Sequence, residues 1–140
     1  MKLQKLEQYH IEYMKEHGLH KDRWKDMSGD AQYNYALEHE GDTLGMGGFI
    51  MVGQTCAITW FDMSEKAQEH LIDSFRTLKT WTETFCADHG IKRVMAFVET
   101  GFEAGVRTVE HLGYHFESRM PKYEDDRPFD IWVKFFEESK

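Results

Sequence analysis

No apolar run in this 140-residue chain approaches the ~20 residues that a membrane span needs. The opening Met1-Lys2-Leu3-Gln4-Lys5-Leu6-Glu7 returns to charge too soon for the apolar core of a signal peptide. A chain without a membrane span and not secreted by a signal peptide is the expectation. Cysteine is scarce. Cys56 and Cys86 make neither a disulfide framework nor a Cys-x-x-Cys knuckle, so they are expected as buried free thiols in a reducing compartment, by default the cytoplasm. Positive charge is outweighed, 17 Lys and Arg against 25 Asp and Glu, and the net −8 repels phosphates, so no nucleic-acid partner is expected. The densest basic stretch, Lys21-Asp22-Arg23-Trp24-Lys25, is interrupted by an acid. No Ser/His/Asp nucleophile signature occurs, and Gly45-Met46-Gly47-Gly48 is too short and strand-like for a phosphate loop. Eight histidines are present, with His10, His17 and His20 the closest trio, but His10 and His17 are seven residues apart rather than the one turn usual for ligands, and Gly113 separates His111 from His115. No metal is expected.

What is present reads as one α/β (α+β) domain over residues 1–140, with 41% hydrophobic and 30% charged residues. Leu3, Leu6, His10, Tyr13, Met14 and His17 recur at helical spacing, with Gly18 placed for a left-handed cap. Strands follow over 32–40, 43–52 and 55–61, the first two joined by a hairpin at Gly41-Asp42 and the second loosened by its glycines. From Ser64 to about His89 the period becomes helical, with Asp62 and Glu65 as capping signal and Gly90 as stop. That long helix supplies the crossover to a central strand, 91–98, which is apolar on both faces and parallel to the strand before it. A shorter helix over 101–111 ends at Gly113. A strand over 114–120, an acidic loop from Pro121 to Pro128 and a last strand over 129–136 complete a mixed, mostly antiparallel sheet. In that last strand Phe129, Ile131, Val133 and Phe135 share the expected core face, leaving Trp132 and Phe136 on the other.

This order of elements resembles the GNAT superfamily of acyl-coenzyme A-dependent N-acyltransferases over roughly residues 30 to 136. The most specific piece is 91–117, where strand and helix run into His111-Leu112-Gly113-Tyr114, similar to the family's L-G-[FY] ending. GNAT domains open with a strand ahead of the first helix, whereas Leu3 here is read as already helical. The resemblance implies an acetyl-coenzyme A site at the turn before the long helix, where an [RQ]-x-x-G-x-[GA] loop offers backbone N–H groups to pyrophosphate. The matching stretch here, Phe61-Asp62-Met63-Ser64-Glu65-Lys66-Ala67-Gln68-Glu69-His70, has no glycine: Glu65 stands at the Arg/Gln position, and Gln68 and His70 at the glycine positions. Asp62, Glu65 and Glu69 would face the anion, and unit charges ~6 Å apart repel by on the order of 3 kcal/mol at an effective dielectric near 20. The family's general-acid tyrosine, four residues before the glycine, is Val109, and the Asn often found at the start of that helix is Phe102.

If the chain were active, the resemblance puts cofactor contacts at Phe61, Asp62, Met63 and Ser64, and a general base at Glu99, His39 or Glu38. Glu99, at the end of the parallel strand, is favoured by the α/β ligand rule. Partner surfaces are expected at Trp132 and Phe136, unless both faces of that strand are covered, and at Tyr123 in the acidic loop. The worn pattern also resembles the GNAT-like internal or ejected virion proteins of short-tailed bacteriophages. On that resemblance the expectation is a catalytically degenerate, virion-associated or host-directed protein without cofactor, located in the virion or host cytoplasm and engaging a protein partner or its own copies. The alternatives are an active acetyl-coenzyme A-dependent N-acetyltransferase of a small amine or a protein, and an acidic decoy that inhibits a basic host partner.

Overall fold

Short alternating segments joined by tight turns build the first part of the sheet, and a crossover helix leads into the second. The structure, a computed structural model, describes residues 1–19 and 33–136. The Lys21–Lys25 stretch, His20 and Gln32 lie outside the described residues. Seven strands hydrogen-bond in the order β1-β2-β3-β4-β5-β7-β6. Contacts gather in two compact units, residues 1–50 with 60–82, and residues 51–59 with 83–140.

In the first unit, β1 (Lys2–Lys5) runs antiparallel to β2 (Tyr33–His39), with Leu3 opposite Leu37. The helix expected from Leu3 therefore starts later, as α1 (Gln8–His17). Leu3 is in a strand because its side chain joins the cluster of Leu37, Leu44, Met63 and Ala67 beneath the sheet. The turn from β2 to β3 (Asp42–Met51) is made by Glu40 and Gly41, both with left-handed φ (50° and 83°), as a two-residue hairpin requires. β3 runs unbroken through its three glycines into the Gly53 turn, and β4 (Cys56–Met63) follows. On the opposite face α1 lays Met14 on Met46 and Trp60, with Leu6, Ile11, Tyr13 and Ile50 around them.

A polar latch ties α1 to the sheet. The Glu7 N–H donates to His10 Nδ1 at 2.9 Å within a capping box, so that nitrogen is unprotonated. The fully buried ring thus carries its proton on Nε2 and donates it to Glu38 Oε1 at 2.7 Å. The Tyr9 hydroxyl also donates to Glu38 Oε1 at 2.7 Å. The Tyr9 bond, followed by that of His10, outweighs desolvation and holds the Glu38 carboxyl below its ordinary value of 4.5.

Two local expectations are corrected in this unit. Gly18 is extended (φ −70°), not left-handed. It is glycine for lack of space: a Cβ there would lie 2.5 Å from Asp62 Oδ2 and 2.7 Å from the Met14 carbonyl. The long helix is preceded by a 3-10 turn, Glu65–His70, before α2 (Leu71–His89) begins. Asp62 does not cap it. That residue is the buried penultimate position of β4, and Ser64 takes the N-cap position.

In the second unit, Cys56–Thr59 of β4 pair in parallel with Arg93–Ala96 of β5 (Arg93–Glu99), as the crossover predicts. Helix α3 (Glu103–His111) ends at Gly113, whose φ is 91°. The stretch from Pro121 to Pro128 is no loop. β6 (His115–Glu124) continues into it with a register shift between Met120 and Glu124, Asp125 and Asp126 turn the chain, and β7 (Arg127–Phe135) pairs with both β6 and β5. Cys86 is buried and its thiol pushed up to about 12 by desolvation, whereas Cys56 is half-exposed; both are free.

β7 is buried on both faces, with Val133 fully buried on the expected core face. Trp132 is 9% exposed and Phe135 56%. Lys134 Nζ donates to the Leu112 carbonyl at 2.9 Å and Val98 lies against Gly105, so α3 covers the face of Trp132 and Lys134. Trp132 is therefore core, while Phe135, assigned to the core stripe, faces outward beside Arg93 and His115. Among the described residues no helix is long and apolar enough to cross a membrane.

Two outcomes follow from these contacts. Gly18→Ala is expected to cost about 1–3 kcal/mol, because the Met14 carbonyl is backbone and cannot yield, whereas Gly53→Ala, whose nearest neighbour would be Cys56 Cβ at 3.8 Å, is expected to be neutral in urea unfolding. Because Glu38 is held low, its contribution is present above its ordinary value of 4.5 and is lost as pH falls through the lower folded value. Unfolding measured between pH 6 and pH 3 should show Glu38→Gln losing less stability on acidification than the parent, by about 1 kcal/mol.

Candidate functional site

The four positions that the resemblance assigns to a cofactor lie at the end of β4. Phe61 is half-buried under the Leu37–Leu44 cluster, and Asp62, Met63 and Ser64 are buried. Their backbone is largely engaged within the chain. The Met63 carbonyl accepts the Leu19 N–H at 2.8 Å, and Gly18 forms a β-bridge with Ser64. The Ser64 N–H donates to the Leu44 carbonyl at 2.8 Å, its hydroxyl donates to the Thr43 carbonyl at 2.8 Å, and its own carbonyl accepts from Ala67 at 3.0 Å. Beyond Ser64 the 3-10 turn exposes Glu65 and Glu69, with Lys66 Nζ 3.7 Å from the latter carboxylate. A coenzyme A diphosphate needs donors turned outward and a cationic or neutral rim. The Ser64 donor points into the sheet, the rim is acidic and the turn has no glycine, so these residues do not fit that group.

The base candidates are separate. His39, at the end of β2, sets its ring edge-on to His70 with centroids 4.9 Å apart, and its buried Nδ1 has no hydrogen-bond partner among the described residues. Glu38 is committed to Tyr9 and His10. In the second unit Glu99 closes β5 opposite Phe129, and Arg127 Nη1 donates to its Oε1 at 3.1 Å. Beside it, Asp130 accepts from Thr100 Oγ1 and from Arg119 Nε, both at 2.8 Å. The Arg119 bond, with that of Thr100, holds the Asp130 carboxyl below its ordinary range against desolvation. Val109, at the general-acid position, is buried on α3, and Phe102 precedes that helix in extended conformation. Tyr114 is buried, and desolvation pushes its hydroxyl well above the ordinary phenol, so it is a core aromatic.

Of the expected partner surfaces, Trp132 is withdrawn because it is core, and Phe136 is half-buried with its N–H donated to the Lys92 carbonyl. Tyr123 rests on Phe97 and Phe129, at centroid distances of 5.6 and 5.2 Å, and keeps 48% exposure. The exposed aromatics on this part of the sheet are Phe116, Tyr123 and Phe135. Among the described residues no group of three His, Cys, Asp or Glu side chains could hold a metal ion. Sequence reasoning missed Arg127 as the partner of Glu99 and His10 as the partner of Glu38. Neither has a local signal, since the pairs are 28 residues apart in the chain.

No family model matches the chain, and no curated protein sequence does. Solved structures do. Ard1 from Thermoplasma volcanium is similar at a TM-score of 0.79 and 14% identity, over 98% of each chain. The ribosomal-protein-S18-alanine N-acetyltransferase from Escherichia coli is similar at 0.76 and 13%, over 99% of this chain and 96% of that one. The ribosomal L7/L12 α-N-protein acetyltransferase RimL, solved in complex with coenzyme A, is similar at 0.66 and 14%, over 74% of this chain and 62% of that one. At such identities the shared property is the path of the backbone, the same one that the order of strands and helices describes: this protein has the GNAT acetyltransferase fold.

Proposed function

We propose that this chain is a GNAT-fold protein without acyl transfer, acting through its surface as a virion-associated or host-directed protein, in the virion or the host cytoplasm. The observation that carries this reading is the end of β4, where Ser64 spends its N–H and hydroxyl on Leu44 and Thr43, and an acidic turn follows in place of glycines. The buried valine at position 109 supports it, since it cannot protonate a leaving thiolate. Exposed Phe116 and Phe135, with the net charge of −8, suit a protein partner or a second copy better than a nucleic acid. The partner of an acidic decoy would be basic, and its affinity would fall steeply with salt.

A second reading is favoured by the solved structures, whose names are those of acetyltransferases. In it the chain is an active N-acetyltransferase of a small amine or a protein, with Glu99 or His39 as base. Glu99 would first have to part from Arg127, because a carboxylate engaged by a guanidinium is a poor proton acceptor.

Calorimetric titration with acetyl-coenzyme A, at protein concentrations able to detect a dissociation constant of about 100 μM, or about −5.5 kcal/mol, separates the two. No heat, and no rise in melting temperature with millimolar cofactor, is expected. Saturable one-site binding would sink the proposal and turn attention to amine acceptors and a Glu99→Gln variant.

A further inference from the structure

We propose that His39 and His70 form a site for an exchangeable divalent transition-metal ion of the zinc class, which clips the β2–β3 hairpin to the turn before α2. The two rings come from elements far apart in the chain, His39 being the last residue of β2 and His70 the last of the 3-10 turn Glu65–His70. Their centroids lie 4.9 Å apart, with the ring planes inclined at 65°. Two Zn–N bonds of about 2.0–2.1 Å at the tetrahedral angle set their nitrogens about 3.4 Å apart, which rings this close reach by rotating about their side-chain bonds.

The reason for a ligand lies at His39. Its Nδ1 is buried and has no hydrogen-bond partner among the described residues. A buried ring nitrogen without a partner is costly, and a bound water or ion is what commonly removes the cost. The second imidazole against the first favours the ion, because neutral imidazole is the commonest metal ligand and suits zinc, copper and nickel alike. The surroundings are anionic as well. Asp42 stands directly opposite His39 in the β2–β3 register, on the same face of the sheet, and Glu69 immediately precedes His70. Carboxylates on both sides favour a dication. Among the described residues no third His, Cys, Asp or Glu completes the group, so the remaining coordination positions fall to solvent, and the ion exchanges where a four-ligand structural zinc would not. His70 stands at a position where the GNAT pattern has glycine, so the pair belongs to this chain rather than to the fold. The ion takes no part in acyl transfer, and the site stands or falls apart from whether acetyl-coenzyme A binds.

The test titrates the full chain with zinc chloride near neutral pH, in a buffer that does not bind zinc. It follows the imidazole Cε1–H resonances by NMR and measures affinity by competition with a chromogenic chelator. Saturation at one equivalent, with the His39 and His70 resonances moving together, is expected. His39→Gln and His70→Gln should each weaken binding about tenfold or more, since partners one shell further out already cost that much. His17→Gln, on the exposed side of α1, should leave the affinity unchanged. Unchanged affinity in either variant of the pair, movement of one resonance without the other, or binding detectable only at millimolar zinc would overturn the inference. If His39→Gln folds poorly, melting temperatures of the parent and His70→Gln decide. Zinc should raise that of the parent alone, and an equal rise in both, or none in either, rejects the site.

Discussion

The end of β4 is tied down by two backbone groups and a hydroxyl. Ser64 bonds to Leu44 through its N–H and to Thr43 through its side chain, while Met63 receives Leu19. These bonds hold the segment after α1 against the last residues of β4, and that closeness is why position 18 has no room for a Cβ. They also decide the chemistry of the turn. In the GNAT pattern a glycine-rich turn at this place presents its N–H groups to a diphosphate. Here the Ser64 N–H is drawn into the sheet, and the chain leaves as a tight 3-10 turn with acidic side chains. A buried donor that has found an internal acceptor has little to gain from a ligand.

The second unit shows the same economy of polar groups on a different face. Helix α3 covers the side of β7 that carries Trp132 and Lys134, which leaves the side bearing Phe129, Ile131 and Phe135 to the β6–β7 hairpin and its aromatic tip. Glu99 lies on that side, and the cation it requires comes from the hairpin itself. Asp130, projecting from the opposite face of β7, is satisfied by Arg119 and Thr100. Both carboxylates are thus neutralised by arginines from the hairpin, so the hairpin's position and the electrostatics of the β5 end are one problem.

Similarity to acetyltransferase structures over nearly the whole chain, at 13–14% identity for Ard1 and the S18-alanine enzyme, shows that this backbone path tolerates almost complete exchange of side chains. A fold preserved to that degree fixes where strands end and helices begin, but not which groups face outward there. The acidic 3-10 turn after β4 and the buried valine at position 109 are the positions that separate the two functional readings.

Much of the architecture was legible in the sequence. Periodicity marked the strands, the long crossover helix and the short helix, and Gly90 and Gly113 marked their stops. These signals are local or strictly periodic, which is why a chain can be read for them. Leu3, Gly18, Trp132, Phe135 and the 121–128 segment were misread for one reason: each is decided by a distant neighbour. Leu3 joins a cluster built from β2, β3 and β4, Gly18 yields to Asp62, and the outward side of β7 depends on where α3 lands. The pairings of Glu38 with His10 and of Glu99 with Arg127 span 28 residues each and leave no trace in either segment. The sequence by itself determined the order and kind of elements, because side-chain spacing alone sets them. Only the tertiary structure decided which polar groups remain available, because a hydrogen bond or ion pair forms where the fold brings two groups within about 3 Å, whatever their separation along the chain.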